Sequence, residues 1–319
     1  MHCCGPRPPR NKKTEKAHTV PMSTDQLEKQ TRCPLCGSAA RRDFVKFDQE
    51  FHSCSACGLG FIHPPPLPDE IEKIYNKNYY DSWGIDSAEN STERMKQATF
   101  HDKLALIEAR MPAKGRILDI GCATGFFLDA ARQRGWECHG VELSPYSSEI
   151  ARDKIGRDRI FTGQLAEARF ADDFFDAVVM TDVIEHVAAV RPFMAEVARI
   201  LKPGGIAVIT TPDPHSLSRR LLGRHWPHYK REHLLYFSAD ALSLLMEPLG
   251  FRRLSLTPGS KTLTLAYLNL QLQTYPVPLL TPLAGLMAKL LPESACQQNF
   301  RIYSGELFEL SRLEDGARP

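Results

Sequence analysis

From Arg116 onward, short apolar runs alternate with helical stretches, and that alternation constrains this 319-residue chain more than any other feature. Strands read at Arg116 to Ile120, Glu137 to Glu142, Ile160 to Thr162, Phe175 to Thr181 and Ile206 to Thr211. Helices fall between them at Gly125 to Arg134, Pro145 to Lys154 and Arg191 to Leu201, after a lead-in helix from about Glu93 to Met111. Apolar strands spaced by helices are buried on both faces, so the pattern predicts a parallel sheet between two helix layers. The finish departs from it: Phe251 to Thr257 and Gly305 to Arg312 read as strands separated by a long insert, which predicts an antiparallel edge hairpin.

Within this frame, ILDIGCATGFF puts Asp119 at the end of the first strand, Gly121 in the turn and Gly125 at the mouth of the next helix. Glycines let a backbone approach a ligand closely, and strand ends of this kind open into the crevice where α/β sheets bind ligands. A dinucleotide turn reads G-x-G-x-x-G and aims its helix at a pyrophosphate. This turn reads D-x-G-x-x-x-G, and its leading acid suits a ligand with a positive amino-acid end while repelling a pyrophosphate. The second strand ends at Glu142 in GVELSP, 21 residues after Gly121, where a carboxylate accepts hydrogen bonds from both ribose hydroxyls. The competing reading makes Glu142 a cap for the helix near Pro145 and Asp119 a turn residue.

Four of the nine cysteines form two knuckles, Cys33-Pro-Leu-Cys36-Gly and Cys54-Ser-Ala-Cys57-Gly, separated by 17 residues. Two Cys-x-x-Cys pairs complete the tetrahedral thiolate shell that Zn²⁺ favours, whereas a redox pair comes singly in a βαβ setting. Asp43 to Phe47 and Gly58 to Ile62 read as short strands of a ribbon too small to hold a core, so its metal is structural. Pro64 to Pro68 reads as a stiff linker. Ahead of the ribbon, Cys3 and Cys4 lie in a Pro- and Lys/Arg-rich stretch expected to be a disordered tail, and the 21 residues before Met22 read either as an upstream extension or as part of the working protein. The expected organisation is a tail over 1–28, a zinc ribbon over 29–66, a linker and lead-in helix over 67–110, and a catalytic domain over 111–319 with an insert at 259–304.

Forty basic against 38 acidic side chains give a net charge of +2, which supplies no overall field for a nucleic-acid backbone. The ribbon's Arg41, Arg42 and Lys46 are interleaved with Asp43, Asp48 and Glu50, so no nucleic-acid partner is expected. No run reaches eighteen apolar residues and no secretory signal is legible, making the cytoplasm the expected location.

ILDIGCATG, GVELSP, FDAVVMTDVIEHV at Phe175 to Val187 and LKPGG at Leu201 to Gly205, followed by IAVITTPD, together resemble the class I S-adenosylmethionine-dependent methyltransferases, most of all their ubiquinone-biosynthesis-like branch. The resemblance covers roughly Arg116 to Arg312. It implies a Rossmann-like, seven-stranded, mostly parallel sheet with an antiparallel last strand, and S-adenosylmethionine as cofactor. It also implies that Asp119, Gly121, Cys122 and Gly125 hold the methionine moiety, that Glu142 holds the ribose, and that Leu143 covers one face of the adenine. Gln164 and Leu165 would sit near the adenine amine, and Asp182 would border the cofactor. The ribbon, a Pro-x-Pro segment, Tyr75 and Tyr79-Tyr80 ahead of such a domain resemble a bacterial subgroup linked to small-molecule or polysaccharide methylation.

Methyl transfer from a sulfonium is an in-line displacement, leaving the protein to align the reactants and remove the acceptor's proton. Histidine is the favoured base near neutral pH, and the candidates are His186, after the fourth strand, and His233 in REHLLYFS. Asp182, Glu185 and His186 also match a pattern that in some quinone O-methyltransferases holds Mg²⁺, unless Glu185 opens the next helix. The cluster from Arg219 to His233, including Arg220, Arg224, Lys230 and Arg231, either engages an anionic acceptor, such as a nucleotide sugar or lipid-linked intermediate, or is a solvated loop. The insert YPVPLLTPLAGLMAKLL either lids the acceptor pocket or lies on a membrane or partner surface. With no Asn-Pro-Pro-Tyr turn to hold a planar nitrogen, the expected acceptor atom is a hydroxyl oxygen on a small molecule or glycan. RNA or protein methylation with the ribbon as reader, and noncatalytic cofactor binding, are the competing functions. The oligomeric state stays open.

Overall fold

The computed structural model describes residues 31–66 and 90–316, with the side chains of 90–94 excepted. The expected tail, and the linker residues 67–89 with Tyr75, Tyr79 and Tyr80, lie outside the described residues.

The first strands are β1 (Arg41–Lys46), β2 (Gln49–Ser53) and β3 (Gly60–His63), an antiparallel meander. β2 is absent from the sequence reading because its lead-in, Phe47-Asp48, looks like a continuing strand. Both residues instead take positive φ, 58° and 61°, and form the two-residue turn of a hairpin.

Then come α1 (Asn90–Glu108), β4 (Arg116–Ile120), α2 (Phe126–Gln133), β5 (Glu137–Glu142), α3 (Pro145–Ile155), β6 (Ile160–Thr162), β7 (Phe175–Thr181), α4 (Val190–Ile200) and β8 (Leu201–Pro212). Four of these strands, β4 to β7, have the bounds read from the sequence. β8 starts earlier than Ile206 because Leu201 already pairs with Phe175 before the LKPGG segment bulges out and pairing resumes at Ala177 with Ile206. The chain continues through α5 (Leu217–Leu222), β9 (Leu235–Tyr236), α6 (Ala239–Met246), β10 (Phe251–Leu263), α7 (Leu265–Thr274), α8 (Leu280–Leu290), α9 (Glu293–Cys296) and β11 (Phe300–Leu313). β10 and β11 are longer than expected and reach into the 259–304 insert.

The seven-stranded sheet runs β10-β11-β8-β7-β4-β5-β6. Only β11 is antiparallel to its neighbours, and it is inserted between β8 and the edge strand β10. The chain enters at β4, steps outward to β6, then returns to β7, so the order reverses between β4 and β7. At such a switch point the loops leaving adjacent strands diverge and open a crevice.

Alternating residues explain the two-sided core. Ile117, Ala177, Val179, Ile206 and Val208 face α1 and α2, against Leu104, Ile107, Phe127 and Leu128. Their neighbours Leu118, Val178, Met180, Ala207 and Ile209 face α4 and α6, against Met194, Val197, Leu242 and Leu245. Each such side chain taken from water contributes about 1.5–3 kcal/mol, which fixes the register that places the strand ends.

The ribbon meander does not stand alone. β9 adds a fourth strand to it, with Gly60 opposite Tyr236 and Phe61 opposite Leu235. Leu35, Leu59 and Phe61 share a core with Ile184, Leu234 and Phe237, while Phe51 and Ile62 pack with Trp226, Tyr229 and Tyr236. Arg191 donates to the Leu35 carbonyl at 2.7 Å, and the Ser238 hydroxyl to that of Cys57 at 3.0 Å. Among the described residues no helix is long and apolar enough to cross a membrane.

Candidate functional site: a cofactor turn, an acceptor cavity and a cysteine cluster

The turn after β4 is tied to the end of β5 by Glu142. One oxygen of this buried carboxylate accepts from Ala123 N at 2.8 Å, the other from Ser144 N at 2.8 Å. Glu142 therefore braces the turn. Gly121 has φ 72°, and a Cβ there would stand 2.7 Å from Val183 Cγ2, so no other residue fits. Ala123 holds φ 46° without being glycine, a strained conformation of the kind retained where a ligand is held. Asp119 is buried beside it, and burial together with the Glu142 charge pushes its carboxyl well above the ordinary range, with Lys103 pulling the other way.

A cavity of about 450 Å³ extends from this turn over the ends of β4 and β7. Asp119, Gly121, Cys122 and Ala123 line one end, and Asp182, His186, His228, Lys230 and His233 another. α1 contributes Lys96, Phe100 and Lys103, and α7 contributes Tyr267, Leu268 and Leu272, followed by Tyr275 just beyond its end. The insert thus supplies a wall of the cavity. The outer side of α8, with Leu283, Leu286 and Leu290, is exposed. A second, almost wholly apolar cavity shares Pro227, Leu268 and Leu272 with the first.

The sequence-derived site residues divide between these regions. Gly125, φ 79°, caps α2 as expected, while the Cys122 thiol turns into the core beneath the sheet, so that what it can offer a ligand is its backbone. Glu142, Leu143, Gln164 and Leu165 are not among the residues lining the cavity, and Leu143 is 53% exposed. Gln164 spends its side-chain oxygen on capping the short turn Leu165–Ala168, with Glu167 bonding back to its N–H at 2.7 Å.

Asp182 follows β7 and lines the cavity. It takes φ 56°, and its Oδ2 accepts from Lys261 Nζ at 2.9 Å; Lys261 also reaches Glu306 at 2.5 Å. Burial works against the Asp182 charge, but Lys261 and Lys103 outweigh it and hold the carboxyl low. The Asp182, Glu185, His186 arrangement expected for Mg²⁺ does not assemble: the ligand-type atoms that come within 4.8 Å of one another belong to Glu185, His186 and His233. Lys261 supplies the physical reason, since it already neutralises Asp182. Glu185 also sits within the turn Ile184–His186 rather than opening α4.

His186 and His233 meet edge to face, ring centres 4.7 Å apart. His186 Nδ1 donates to the Glu232 carbonyl at 2.9 Å. Burial pushes the His186 imidazole down to about 4, and burial with the neighbouring cations takes His233 well below its ordinary value, so both are neutral at physiological pH.

The basic cluster from Arg219 to His233 is not one patch. Arg220, Arg224 and Arg231 are exposed, while His228, Lys230 and His233 face the cavity around the buried Trp226. Arg219 bonds the Tyr229 hydroxyl at 3.1 Å. Lys103, Lys261 and Glu306 escaped the sequence reading altogether. Their signal was faint: Glu306 is one of two acids, with Glu309, in a closing strand of mixed residues, and Lys103 a base beside the apolar Leu104 and Ile107 of its helix.

In the ribbon, Cys33 and Cys57 sulfurs are 3.6 Å apart, Cys36 and Cys54 sulfurs 3.5 Å, and all four thiols cluster within 4.8 Å. Tetrahedral Zn–S bonds of about 2.3 Å need sulfurs about 3.8 Å apart, so the four residues fit that ion with a slight opening. Gly37 and Gly58, both at φ 74°, close the knuckles, and their N–H groups bond back to Cys33 and Cys54 at 2.9 Å.

A family model described as a methyltransferase domain matches residues 75–256, more than half of the chain. The chain is 30% identical over 127 residues to the ubiquinone biosynthesis O-methyltransferase of Cereibacter sphaeroides, covering 38% of this chain and 51% of that one. It is 27% identical over 163 residues to the demethylmenaquinone methyltransferase of Tropheryma whipplei, covering 44% and 67% respectively. Similarity to the Maricaulis maris ubiquinone biosynthesis O-methyltransferase is 28% over 188 residues, covering 54% and 73%. The alignments therefore span between half and three quarters of these relatives. A solved S-adenosylmethionine-dependent methyltransferase of Thermotoga maritima shares the fold, with a TM-score of 0.50 at 19% identity over 78% of this chain and all of that one. The chain belongs to the class I S-adenosylmethionine-dependent methyltransferases, in their ubiquinone-biosynthesis-like branch.

Proposed function

We propose that this enzyme methylates a hydroxyl oxygen of a small, partly apolar acceptor that carries an anionic group. One observation carries the reading: a single cavity joins the Asp119–Gly121 turn to the His186–His233 pair, with mostly apolar walls between. In this reading Asp119 takes the cofactor's ammonium and Lys103 its carboxylate. Glu142 takes the ribose, and Leu143, Gln164 and Leu165 flank the adenine. The acceptor hydroxyl lies against His186 and His233, where it loses its proton as the methyl group moves. Burial makes these imidazoles neutral and therefore able to accept a proton, though weakly basic. The apolar second cavity beside the first supports a lipid-like acceptor whose tail leaves past Leu268 and Leu272. The four-cysteine cluster supports a structural Zn²⁺ in the ribbon.

Charge in the cavity supports an acceptor anion. Lys261 is matched by Asp182 and Glu306, whereas among the described residues the partner of Lys96 is the Phe126 ring, 5.4 Å away. Burial and the neighbouring Lys261 and Lys154 push its ammonium down to about 8. Lys96→Gln is expected to raise the acceptor's KM about tenfold, matching about 1.5 kcal/mol for a bond to a charged group, with kcat nearly unchanged. An unchanged KM would remove the anion from the reading.

The reaction itself is tested by supplying methyl-labelled S-adenosylmethionine with quinone precursors and fractionated extract, for the intact enzyme and His233→Ala in parallel. A labelled small molecule, formed about 10²-fold more slowly or worse by the variant, is the expected result. Label in a glycan would reassign the acceptor class, and label in RNA or protein would overturn the reading.

A further inference from the structure

α8 and its flanks turn a wide apolar surface outward. Between Leu279 and Leu291 every leucine, together with Met287, is 40–84% exposed. These side chains leave roughly 700 Å² of apolar area open, above the ~300–600 Å² of the largest patch on an ordinary monomer and close to the ~800 Å² per partner of a standard interface. On the helix, Leu283, Leu286 and Leu290 stand at three- and four-residue spacing, and Leu279 at its cap precedes them by four. That spacing is the stripe of a helix–helix seam.

The opposite side of α8 is already taken. Ala284 shares a small core with Leu272 and Val277, Thr281 donates to the Leu272 carbonyl at 3.2 Å, and a Cβ on Gly285 would stand 3.7 Å from Asn269 Oδ1. With one side packed and the other apolar, α8 lacks the charged polar face that holds a helix in a lipid headgroup layer. From Thr262 to Pro292 the chain carries a single charged residue, Lys289. A surface so nearly neutral lets an identical surface approach without repulsion.

The same face is the open side of the second cavity, of about 470 Å³. Leu280, Leu283, Met287 and Phe300 line that cavity and are themselves exposed, so its wall is unfinished in a single chain.

We propose that two copies of this chain pair through α8 about a two-fold axis, each laying its Leu283–Leu286–Leu290 stripe against the other's and covering the mouth of the other's apolar cavity. A two-fold needs one self-complementary patch, and this is such a patch. The pairing stands apart from the reaction; the use of the covered cavity for the acceptor's apolar tail rests on the methylation reading.

Sedimentation velocity of the full-length protein over the micromolar range should give a species of twice the chain mass. Leu286 and Leu290 line neither cavity, so Leu286→Glu and Leu290→Glu test the seam alone. Each should weaken the dimer at least about a hundredfold, since a carboxylate buried in an apolar seam has no partner there. Unchanged S-adenosylmethionine titration shows that the variants fold. A photo-reactive benzophenone side chain placed at Phe300 should give covalent dimers whose linked peptide lies within 279–291. A monomeric wild type overturns the pairing, as does a dimer that both glutamate variants keep. A monomer that sediments with vesicles of phosphatidylglycerol and phosphatidylcholine would give the face to a membrane instead. Links confined to one chain would overturn the covering of the cavity. A dimer without any methylated product would sink the tail's use and leave the pairing standing; a monomer with product would do the reverse.

Discussion

Asp119→Asn should weaken S-adenosylmethionine binding on the order of a hundredfold or more, read by titration calorimetry with the demethylated cofactor as a second ligand. The change keeps the shape of the side chain and removes only its charge. Truncating one partner of a buried ion pair costs about 2–5 kcal/mol, because the other partner is left desolvated and unmatched. Asp119 is buried at the end of β4, and its carboxyl already titrates well above the ordinary range owing to burial and the Glu142 charge. The sign of the accompanying pH effect follows. In the free enzyme a raised value means that Asp119 takes up a proton as pH falls, and the protonated form cannot pair with an ammonium. Affinity should therefore drop with falling pH from a higher starting point than an exposed aspartate would allow, and Asp119→Asn should flatten that slope. An unchanged affinity would mean that the amino-acid end of the cofactor binds elsewhere.

Stripping the ribbon's metal should remove methyl transfer while sparing the cofactor site. Ile62 N donates to the Leu234 carbonyl at 3.0 Å, and Leu234 N donates to the Glu185 carbonyl at 2.8 Å. The ribbon is thus two hydrogen bonds from the turn that carries His186 and one residue from His233. Metal binding in sites of this kind is worth about 10 kcal/mol or more, comparable to the whole stability of a domain. Losing it frees β3, and with β3 the strand β9 just after His233 and the Leu234 bond to the turn that carries His186. Chelator-treated protein, and Cys57→Ser as a second route, should lose activity at least about 10²-fold while titrating S-adenosylmethionine within severalfold of normal. Hydrogen exchange should quicken at 232–238 and stay slow at 116–125. Full activity in metal-free protein would show that the ribbon is an appendage.

The parts of this fold that were legible in the sequence are those fixed by local rules. β4 and β6 are closed by Gly121 and Gly163, β5 by Leu143-Ser144 and β7 by Asp182, and the bounds of β7 follow from its nearly continuous burial. The knuckles follow from spacing, and the cofactor turn from a motif with a mechanism. What was not legible depends on partners far away along the chain. β9 is two residues long and is a strand only because β3 lies beside it. Asp182 looked like a metal ligand until Lys261, 79 residues on, was seen to claim it. The row of bases from Arg219 to His233 looked like one surface, but Trp226 anchors the segment and turns alternate side chains to opposite environments.

The pairing of β3 with β9 also imposes an order on the birth of the molecule. Residues 60–61 leave the ribosome long before residues 235–236, and at about 5–20 residues per second the delay is roughly 10–35 s. Throughout that interval the nascent ribbon shows the cell an unpaired strand edge, with Phe61 and Leu59 still waiting for the surface they will pack against. A module made before the catalytic sheet is therefore finished only after β9 has been made. During translation an ion on the four cysteines would hold a half-built sheet together, a custodial task distinct from any it would have in the completed enzyme.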